Sequence, residues 1–400
     1  MRHSYLNALG IVSALGQGKT ETLASLTAGN VDGVTLQTNI LANNEDLEFG
    51  AYTGPLCEIP ELLLDYASRN SQLALTALEQ IRQEVFAAIA LYGKDKIAVV
   101  IGTSTSGVEE GEKALESQAI TGVLPVDYNF IQQEMGATSE FIARVLGVSG
   151  PAISISTACT SSAKAFGTAK RLLDQGICDA VVVGGVDSFC KLTINGFSSL
   201  SALHGGGGCL PFSGNRNGTV LGEAATLFLM SREEKGCFLA SIGESTDAYN
   251  MTSPDPTGAG ATAAMKYALC DAGLSANEID YVNLHGTGTR QNDAMESIAI
   301  NNVFMDKKPS LSSTKPLSGH TLGAAGALEV GFCWLSLTDW SHGYGLPVHV
   351  WDGVVDAELP VMNFAKQGDC LPASGMRWCM SNSYAFGGSN TSVILGKLAK

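Results

Sequence analysis

The sequence has no excess of basic charge: 24 Lys plus Arg stand against 39 Asp plus Glu, a net charge of −15. Binding along nucleic acid or an anionic membrane surface needs a dense basic stripe, so both are excluded as main functions. No run approaches 18 apolar residues, so no segment is expected to span a bilayer. The ten cysteines contain no CxxC pair and no framework spacing; most, such as Cys237, Cys270 and Cys333, sit inside apolar stretches. That pattern excludes a disulfide scaffold and fits a reducing cytoplasm. The N-terminus, MRHSYLNALGIVSALG, is broken by Asn7, Gly10 and Gly16, and reads as a core strand and turn rather than a signal peptide. Neither GxxxxGK[ST] nor a strand-GxGxxG-helix arrangement occurs. The glycine run Gly205 to Gly208 therefore reads as flexible backbone near a site, not as a phosphate loop.

What is present is a 400-residue chain, 45% hydrophobic and 16% charged, with 46 glycines. That composition suits a well-buried α/β enzyme of two or three lobes with many tight turns. Its organising stretch is Ile153 to Gly167, ISISTACTSSAKAFG. A short strand turns at Thr157-Ala158-Cys159 into small residues at helical spacing, Thr160 to Gly167, which puts Cys159 at a strand-to-helix elbow. A helix N-terminus carries partial positive charge and unpaired N–H groups, so the thiolate is expected to be stabilised there. The competing reading is that Cys159 is one more small buried residue.

Taken in order, a helix is expected over Thr20 to Leu26 and a polar surface excursion over Asn30 to Asn44. One amphipathic helix, begun by a Ser or Asn cap, is expected over Ser68 to Phe86. The buried strand Ile97 to Ile101 empties into the loop Gly102 to Gly107; helices follow over Glu109 to Gln118 and Phe130 to Leu146. Strands over Asp179 to Asp187 and Ala224 to Ser231 close the first half. The same order then recurs. Asp280 to Leu284 runs into HGTGT, Ser310 to His320 leads into the small-residue run Thr321 to Leu328, and Arg377 to Ser383 leads into Tyr384-Ala-Phe-Gly-Gly388. Two duplicated α/β halves, 1–238 and 239–400, are expected, with their loops emerging side by side.

His285 and His320 lie at matching elbows of the second half, each flanked by glycine, which lets backbone or ligand come close. A lone histidine is more often structural; two at matching elbows favour chemistry. A metal site is the rival, disfavoured by the 35-residue separation and the lack of a third ligand in the surrounding pattern. Lys315, five residues before His320, can tune its charge state.

The motifs TACTSSA around Cys159, HGTGT at His285, SSTKPLSGHTLGAAGALE around His320 and SNSYAFGGSN near the C-terminus resemble those of β-ketoacyl-acyl carrier protein synthases of the thiolase superfamily. DAYNMTSPDPTGAGA and GTVLGEAA agree, and the likeness runs over nearly the whole chain. The resemblance implies an α/β, thiolase-like, duplicated αβαβα five-layer fold and a dimeric Cys-His-His condensing enzyme. By that reading Cys159 takes an acyl group from a carrier-protein thioester, malonyl-carrier protein loses carbon dioxide, and the carbanion attacks the acyl-Cys159. His285 and His320 hold the enolate oxygen, and the backbone N–H groups of Cys159 and Phe386 form the oxyanion hole of acyl transfer. Thr287 and Thr289 bond the pantetheine arm; Lys315 and Glu329 order the His320 side; Asp293 and Glu296 brace the His285 loop. Tyr384 stands where the family often has a gating phenylalanine, and Thr105 is the expected pocket-facing residue of the first-half loop. No cofactor is expected beyond the phosphopantetheine that carries the substrates.

Two other functions compete. A degradative thiolase acting on acyl-CoA needs a second reactive cysteine near the C-terminus, and Cys379, in RWCMSN, has no glycine-flanked setting. A non-elongating chain-length partner subunit lacks the nucleophile that Cys159 supplies. Among synthases, HGTGTR in place of a following proline, the tyrosine of SYAFGG, and LPFSGNRNG in place of an RPFD-like turn lean towards a specialised polyketide or aryl polyene pathway over housekeeping fatty-acid elongation. Carrier proteins of such pathways are acidic. Residues 151–217 carry a small basic excess in this acidic chain, so Arg69, Lys170, Arg171 and Arg216 are expected to form a weak docking surface. A second, synthase-like subunit in a heterodimer, or a second copy in a homodimer, is the expected protein partner besides the carrier.

Overall fold

Strands whose side chains are apolar on both faces have to be covered on both faces, and the sequence runs IAVVI and AVVVGGV are of this kind. In the computed structural model, which describes residues 3–398 apart from 44, 205, 306–307 and 339–344, they form strands buried at every position. Asn44 and Gly205 of the stretches considered above thus lie outside the described residues.

The first half comprises β1 (Ser4–Ser13), β2 (Gly16–Gln17), α1 (Gly18–Ala28), β3 (Val34–Gln37), β4 (Leu47–Gly50), α2 (Arg69–Glu79), α3 (Arg82–Tyr92) and β5 (Ile97–Gly102). It continues through α4 (Val108–Thr121), α5 (Ala137–Leu146), β6 (Ala152–Ile155), α6 (Ser161–Asp174), β7 (Ala180–Asp187), α7 (Lys191–Ser199), β8 (Leu221–Gly222) and β9 (Ala224–Ser231). The second half is β10 (Cys237–Thr246), α8 (Ala259–Ala272), β11 (Tyr281–Asn283), α9 (Arg290–Phe304), β12 (Ser310–Ser312), α10 (Lys315–Ser318), α11 (Ala325–Leu337), β13 (Met376–Ala385) and β14 (Ser389–Leu398).

The strand order is a palindrome: β12-β11-β13-β14-β10 is mirrored by β1-β9-β7-β5-β6. The two arms join where β1 meets β10, antiparallel, over Ser4 to Leu6. Helices α6 and α11 lie between the arms, α2 and α5 cover the outside of the first, and α8 and α9 the outside of the second. The layers are therefore αβαβα, as the resemblance implies. Three apolar cores match: Phe166, Phe228, Leu328 and Phe332 in the middle, Leu73 and Phe141 outside the first arm, and Met265, Met295 and Phe304 outside the second.

The small residues after each elbow let α6 and α11 approach closely. A Cβ on Gly326 would lie 2.7 Å from the Ala163 nitrogen, and the Ala327 N–H donates to Ser162 Oγ at 2.8 Å. Both elbows share a strained residue three positions before their helix: Ala158 (φ 51°) before α6 and Leu322 (φ 54°) before α11. Non-glycine residues rarely take positive φ, so the repetition marks a turn imposed by the surrounding structure.

Three local expectations need correction. The predicted helix over Ser68 to Phe86 starts as expected, with Ser68 Oγ accepting from the Ser71 N–H, but breaks at Ile81 (φ −120°, ψ 12°). The Gln80 amide is spent there on both backbone groups of Ile11 in β1. Phe130 to Leu146 splits into a 3-10 turn, Phe130–Gln133, and α5. The excursion after Asn30 contains β3, which joins β4 and β8 in a separate small sheet.

Candidate active site

Strand β6 delivers Cys159 to the elbow. The Ser161 hydroxyl fixes the turn by donating to Ala158 O at 2.5 Å and accepting the Thr157 N–H at 2.9 Å. The Cys159 thiol is buried, and burial pushes it up to about 12; the Lys315 charge opposes the shift. The helix terminus is worth at most about 2 kcal/mol, or roughly one and a half pH units. Burial wins, so Cys159 rests as a thiol and not as the thiolate expected at the elbow.

Both histidines come to the same point. His320 Nε2 stands 3.0 Å from Cys159 Sγ, and the His285 ring meets the His320 ring edge-on with centroids 5.2 Å apart. The ligand atoms of Cys159, His285 and His320 all lie within 4.8 Å of one another. The third potential metal ligand missing from the local sequence is thus supplied by the other half of the chain. Burial first, and then the Lys315 charge, holds both imidazoles well below their ordinary range, so both are neutral at pH 7. The Nδ1 atoms of both rings are buried and have no protein hydrogen-bond partner. Lys315 Nζ bonds Glu329 Oε1 at 2.5 Å with both groups buried, and burial pushes Glu329 up to about 7.

The loop carrying His285 hangs from two carboxylates on α9. Glu296 accepts the His285 N–H at 2.8 Å and the Gly286 N–H at 2.7 Å; Asp293 accepts from Gly288 at 3.2 Å and from Phe212 at 2.8 Å. Sequence reasoning missed Asp187 at the end of β7. Its Oδ1 accepts from the Thr103 hydroxyl, the Ser104 N–H, and the N–H and hydroxyl of Thr105, and its Oδ2 accepts the Ala324 N–H. Asp187 ties the first-half loop to the second-half elbow. A carboxylate closing an otherwise apolar strand, VVVGGVD, was the available signal. Thr160 returns the clasp, its hydroxyl bonding Ser389 Oγ at 3.0 Å.

A cavity of about 440 Å³ opens on this cluster, lined by Cys159, His285 and His320 at its floor and by Thr287, Thr289, Phe197 and Phe386 among others. Phe386 stacks on Phe197 (centroids 5.3 Å), which meets His320 edge-on at 6.5 Å.

Residues 62–236 match the family described as Beta-ketoacyl synthase, N-terminal domain, and residues 237–341 match Beta-ketoacyl synthase, C-terminal domain. The chain belongs to the β-ketoacyl synthase family. It is a condensing enzyme, an acyltransferase. The 3-oxoacyl-[acyl-carrier-protein] synthase 2 of Coxiella burnetii is 30% identical over 427 residues, 99% of each chain. A chain of the complex between the ketosynthase ApeO and its chain length factor ApeC, from Xenorhabdus doucetiae, matches with TM-score 0.93 and 42% identity over 100% of this chain and 98% of that one. A chain of the ishigamide ketosynthase/chain length factor matches with TM-score 0.85 and 25% identity over 100% of both.

Several residues of this synthase do not stand where the sequence suggested. Tyr384 lines the cavity but is 4% exposed on β13, edge-on to His285 at 5.8 Å; the aromatic side chain on the mouth turn, 37% exposed, is Phe386. The aromatic side chain that this turn presents to the cavity mouth is therefore Phe386, while Tyr384 is held in the wall. Thr105 does not line the cavity, because its hydroxyl and N–H both go to Asp187. Arg69 is not the free surface charge that was expected: its guanidinium forks onto the buried Glu223 and donates to Tyr52 O at 2.8 Å. Arg216 is 4% exposed, bonded to Asp356 at 2.5 Å and to Ser213 O at 2.8 Å. Lys170 pairs with Asp174 at 2.6 Å, and Arg171 lies 3.7 Å from Glu244, so the expected basic surface is largely neutralised.

Proposed function

We propose that the synthase elongates acyl chains by a decarboxylative Claisen condensation between an acyl group on Cys159 and malonyl-carrier protein, in a specialised polyketide or aryl polyene pathway. The observation that carries the mechanism is the 3.0 Å contact between Cys159 Sγ and His320 Nε2, with both groups neutral. In acylation the thiol attacks the incoming thioester carbonyl while its proton passes by way of His320 to the departing pantetheine thiolate. The N–H groups of Cys159 and Phe386 receive the oxyanion. In condensation the bond from the malonyl α-carbon to its carboxylate breaks, carbon dioxide leaves, and the electron pair passes into an enolate held by the Nε2–H group of His285 and by that of His320 once its ring has exchanged its proton from Nδ1 to Nε2. Neutral donors in a dry site suit that charge. The enolate carbon then attacks the acyl carbonyl and Cys159 departs. Thr287 and Thr289, whose hydroxyls lie 2.9 Å apart in the cavity wall, hold the pantetheine amides.

The chemistry proposed needs no metal or further cofactor. The Cys-His-His cluster has a zinc ligand set, but the Lys315 charge acting on both imidazoles opposes a second cation. A tetrahedral zinc would also hold sulfur and nitrogen ~3.5 Å apart, beyond the 3.0 Å of this contact. A thiolase reading is disfavoured because Cys159 is the one cysteine lining the cavity among the described residues, while Cys379 is buried in β13.

A paired subunit of the same fold is the proposed partner, alongside an acidic carrier protein. Strand β6 ends the sheet with Ile153 and Ile155 only half-buried, and Ile120 in the last turn of α4 and Val123, Val126 and Phe130 after it are exposed. An unpaired strand edge beside exposed apolar side chains invites a second chain. The 42% identity to a chain from a ketosynthase–chain length factor complex supports a heterodimer and a specialised pathway. Ten free cysteines, and no helix among the described residues long and apolar enough to cross a membrane, support a cytoplasmic setting. The test is intact-mass analysis of Cys159 after incubation with a panel of acyl-carrier proteins, with and without the paired subunit. An acyl adduct on Cys159 is expected that malonyl-carrier protein discharges, the carrier protein gaining that acyl chain extended by two carbons; no adduct on Cys159 overturns the reading.

A further inference from the structure

The departure HGTGTR has no role in the chemistry above, and its arginine stands at the mouth of the cavity. Arg290 is the first residue of α9, exposed, and the one cationic side chain among the cavity's described lining residues. It forms no ion pair among the described residues. The carboxylate in the same wall, Asp247, is already engaged by the Asn390 amide at 2.6 Å and the Asp255 N–H at 3.0 Å. The loop leading to Arg290 climbs out of the site in steps. His285 is 2% and Thr287 7% exposed, Thr289 is half-buried, and Arg290 faces solvent. The Arg290 backbone is anchored from beneath, its carbonyl accepting from the buried Arg216 guanidinium at 3.5 Å. Arg216, itself locked to Asp356, thus fixes the place from which Arg290 projects.

We propose that Arg290 binds the phosphodiester at the outer end of the phosphopantetheine arm, setting a preference for phosphorylated over unphosphorylated pantetheine thioesters. This rests on the proposed function, in which that arm enters past Thr287 and Thr289. An arm with its thioester at Cys159 brings its anionic end to the mouth, where a guanidinium without an ion pair, its charge felt by the Asp356 that Arg216 already holds, offers a charge-assisted fork that a proline cannot. The rest of this acidic chain supplies little competing attraction, since Arg69 and Arg216 are spent on internal carboxylates.

The experiment measures acylation of Cys159 by mass, using three donors of one acyl group: the acyl-pantetheine thioester, the acyl-phosphopantetheine thioester, and the acyl-carrier protein. Wild type should favour the phosphorylated small thioester by about tenfold in kcat/KM, the size of one charge-assisted contact. Arg290→Gln should lose that preference through KM, and Arg290→Lys should keep part of it. Added salt should erode the wild-type preference. Equal slowing of both small thioesters in Arg290→Gln would show a role in the loop and overturn the proposal. So would an effect seen with the carrier protein alone, which would assign Arg290 to a protein carboxylate, or no effect with any donor. If wild type is acylated by none of the three, the proposed function fails and not the role of Arg290.

Discussion

Cys159 Sγ is in hydrogen-bond contact with His320 Nε2, whereas His285, edge-on to the His320 ring and with a ring nitrogen within 4.8 Å of the sulfur, makes no hydrogen bond to it. The two histidines therefore do not share their work equally. His320→Ala should slow both acylation of Cys159 and malonyl decarboxylation, and His285→Ala should slow decarboxylation alone. Each lost donor should cost about two to three orders of magnitude in the affected step. Separate measurement of acyl-enzyme formation and carbon dioxide release decides it; identical profiles for the two variants would contradict the geometry.

A thiol pushed up to about 12 is ionised at pH 7 in only about one molecule in 10⁵. Alkylation of Cys159 by iodoacetamide should rise about tenfold per pH unit from 7 to 10, with no plateau near the ordinary thiol range. Cys159→Ala should be inert and folded, since it removes only a thiol at a small-residue elbow. Cys159→Gln should release carbon dioxide from malonyl-carrier protein without condensing.

Lys315 is expected to matter twice. Its charge depresses both imidazoles, and its ammonium is the partner of the buried Glu329. Lys315→Met should cost about 3–5 kcal/mol of stability by leaving a buried carboxylate unpaired. It should also move the acid limb of decarboxylation up in pH. In the wild type that limb lies well below 6.5, because a lowered imidazole stays neutral as pH falls. Lys315→Met with Glu329→Gln should recover much of the stability but not the position of the limb.

How much of this was legible in the sequence depends on what each residue does. The meeting of Cys159 with both histidines and the duplicated order of strands were readable, because glycine flanks and small-residue runs are local consequences of close backbone approach. The engaged arginines were not. Arg69 and Arg216 look like surface charges in a linear count, and only folding shows that Glu223, 154 residues from Arg69, and Asp356, 140 residues from Arg216, neutralise them. The protonation state of Cys159 was misjudged for a related reason: helix ends are visible in a sequence, and depth of burial is not. The break at Ile81 escaped because the amphipathic pattern continues through it, while Gln80 is diverted by a strand 69 residues away.

Glu296 sets a pH dependence of folding. Burial pushes it up to about 8, against an unfolded value near 4.5, so the folded state binds the extra proton between those values. Its contribution is therefore fully present below the unfolded value and is lost as pH rises through 8. Glu329, raised to about 7, acts in the same direction. Below about 6.5 the depressed histidines oppose them, since the unfolded chain then takes up imidazole protons. With the buried histidines giving part of it back, the urea midpoint should fall from pH 6.5 to 8 by the equivalent of about 1–2 kcal/mol, and Glu296→Gln should remove most of that slope.

Asp187 should be among the most sensitive positions outside the cavity. Replacing it by alanine orphans the five donors that converge on it from two segments of the chain, and a loss above about 3 kcal/mol is expected. Thermal denaturation reads this directly. A change within about 0.5 kcal/mol would mean that water replaces the carboxylate freely.

Leu322 occupies in the second elbow the place that Ala158 occupies in the first, so Gly323 is the counterpart of Cys159. A Cβ there would fall 2.6 Å from Ser104 Oγ and 2.8 Å from Asp187 Oδ2. No side chain of any kind can be accommodated without displacing the clasp between the halves. A symmetric scaffold has thereby been made single-handed: one arm presents a thiol at its elbow, and the other is reduced there to bare backbone.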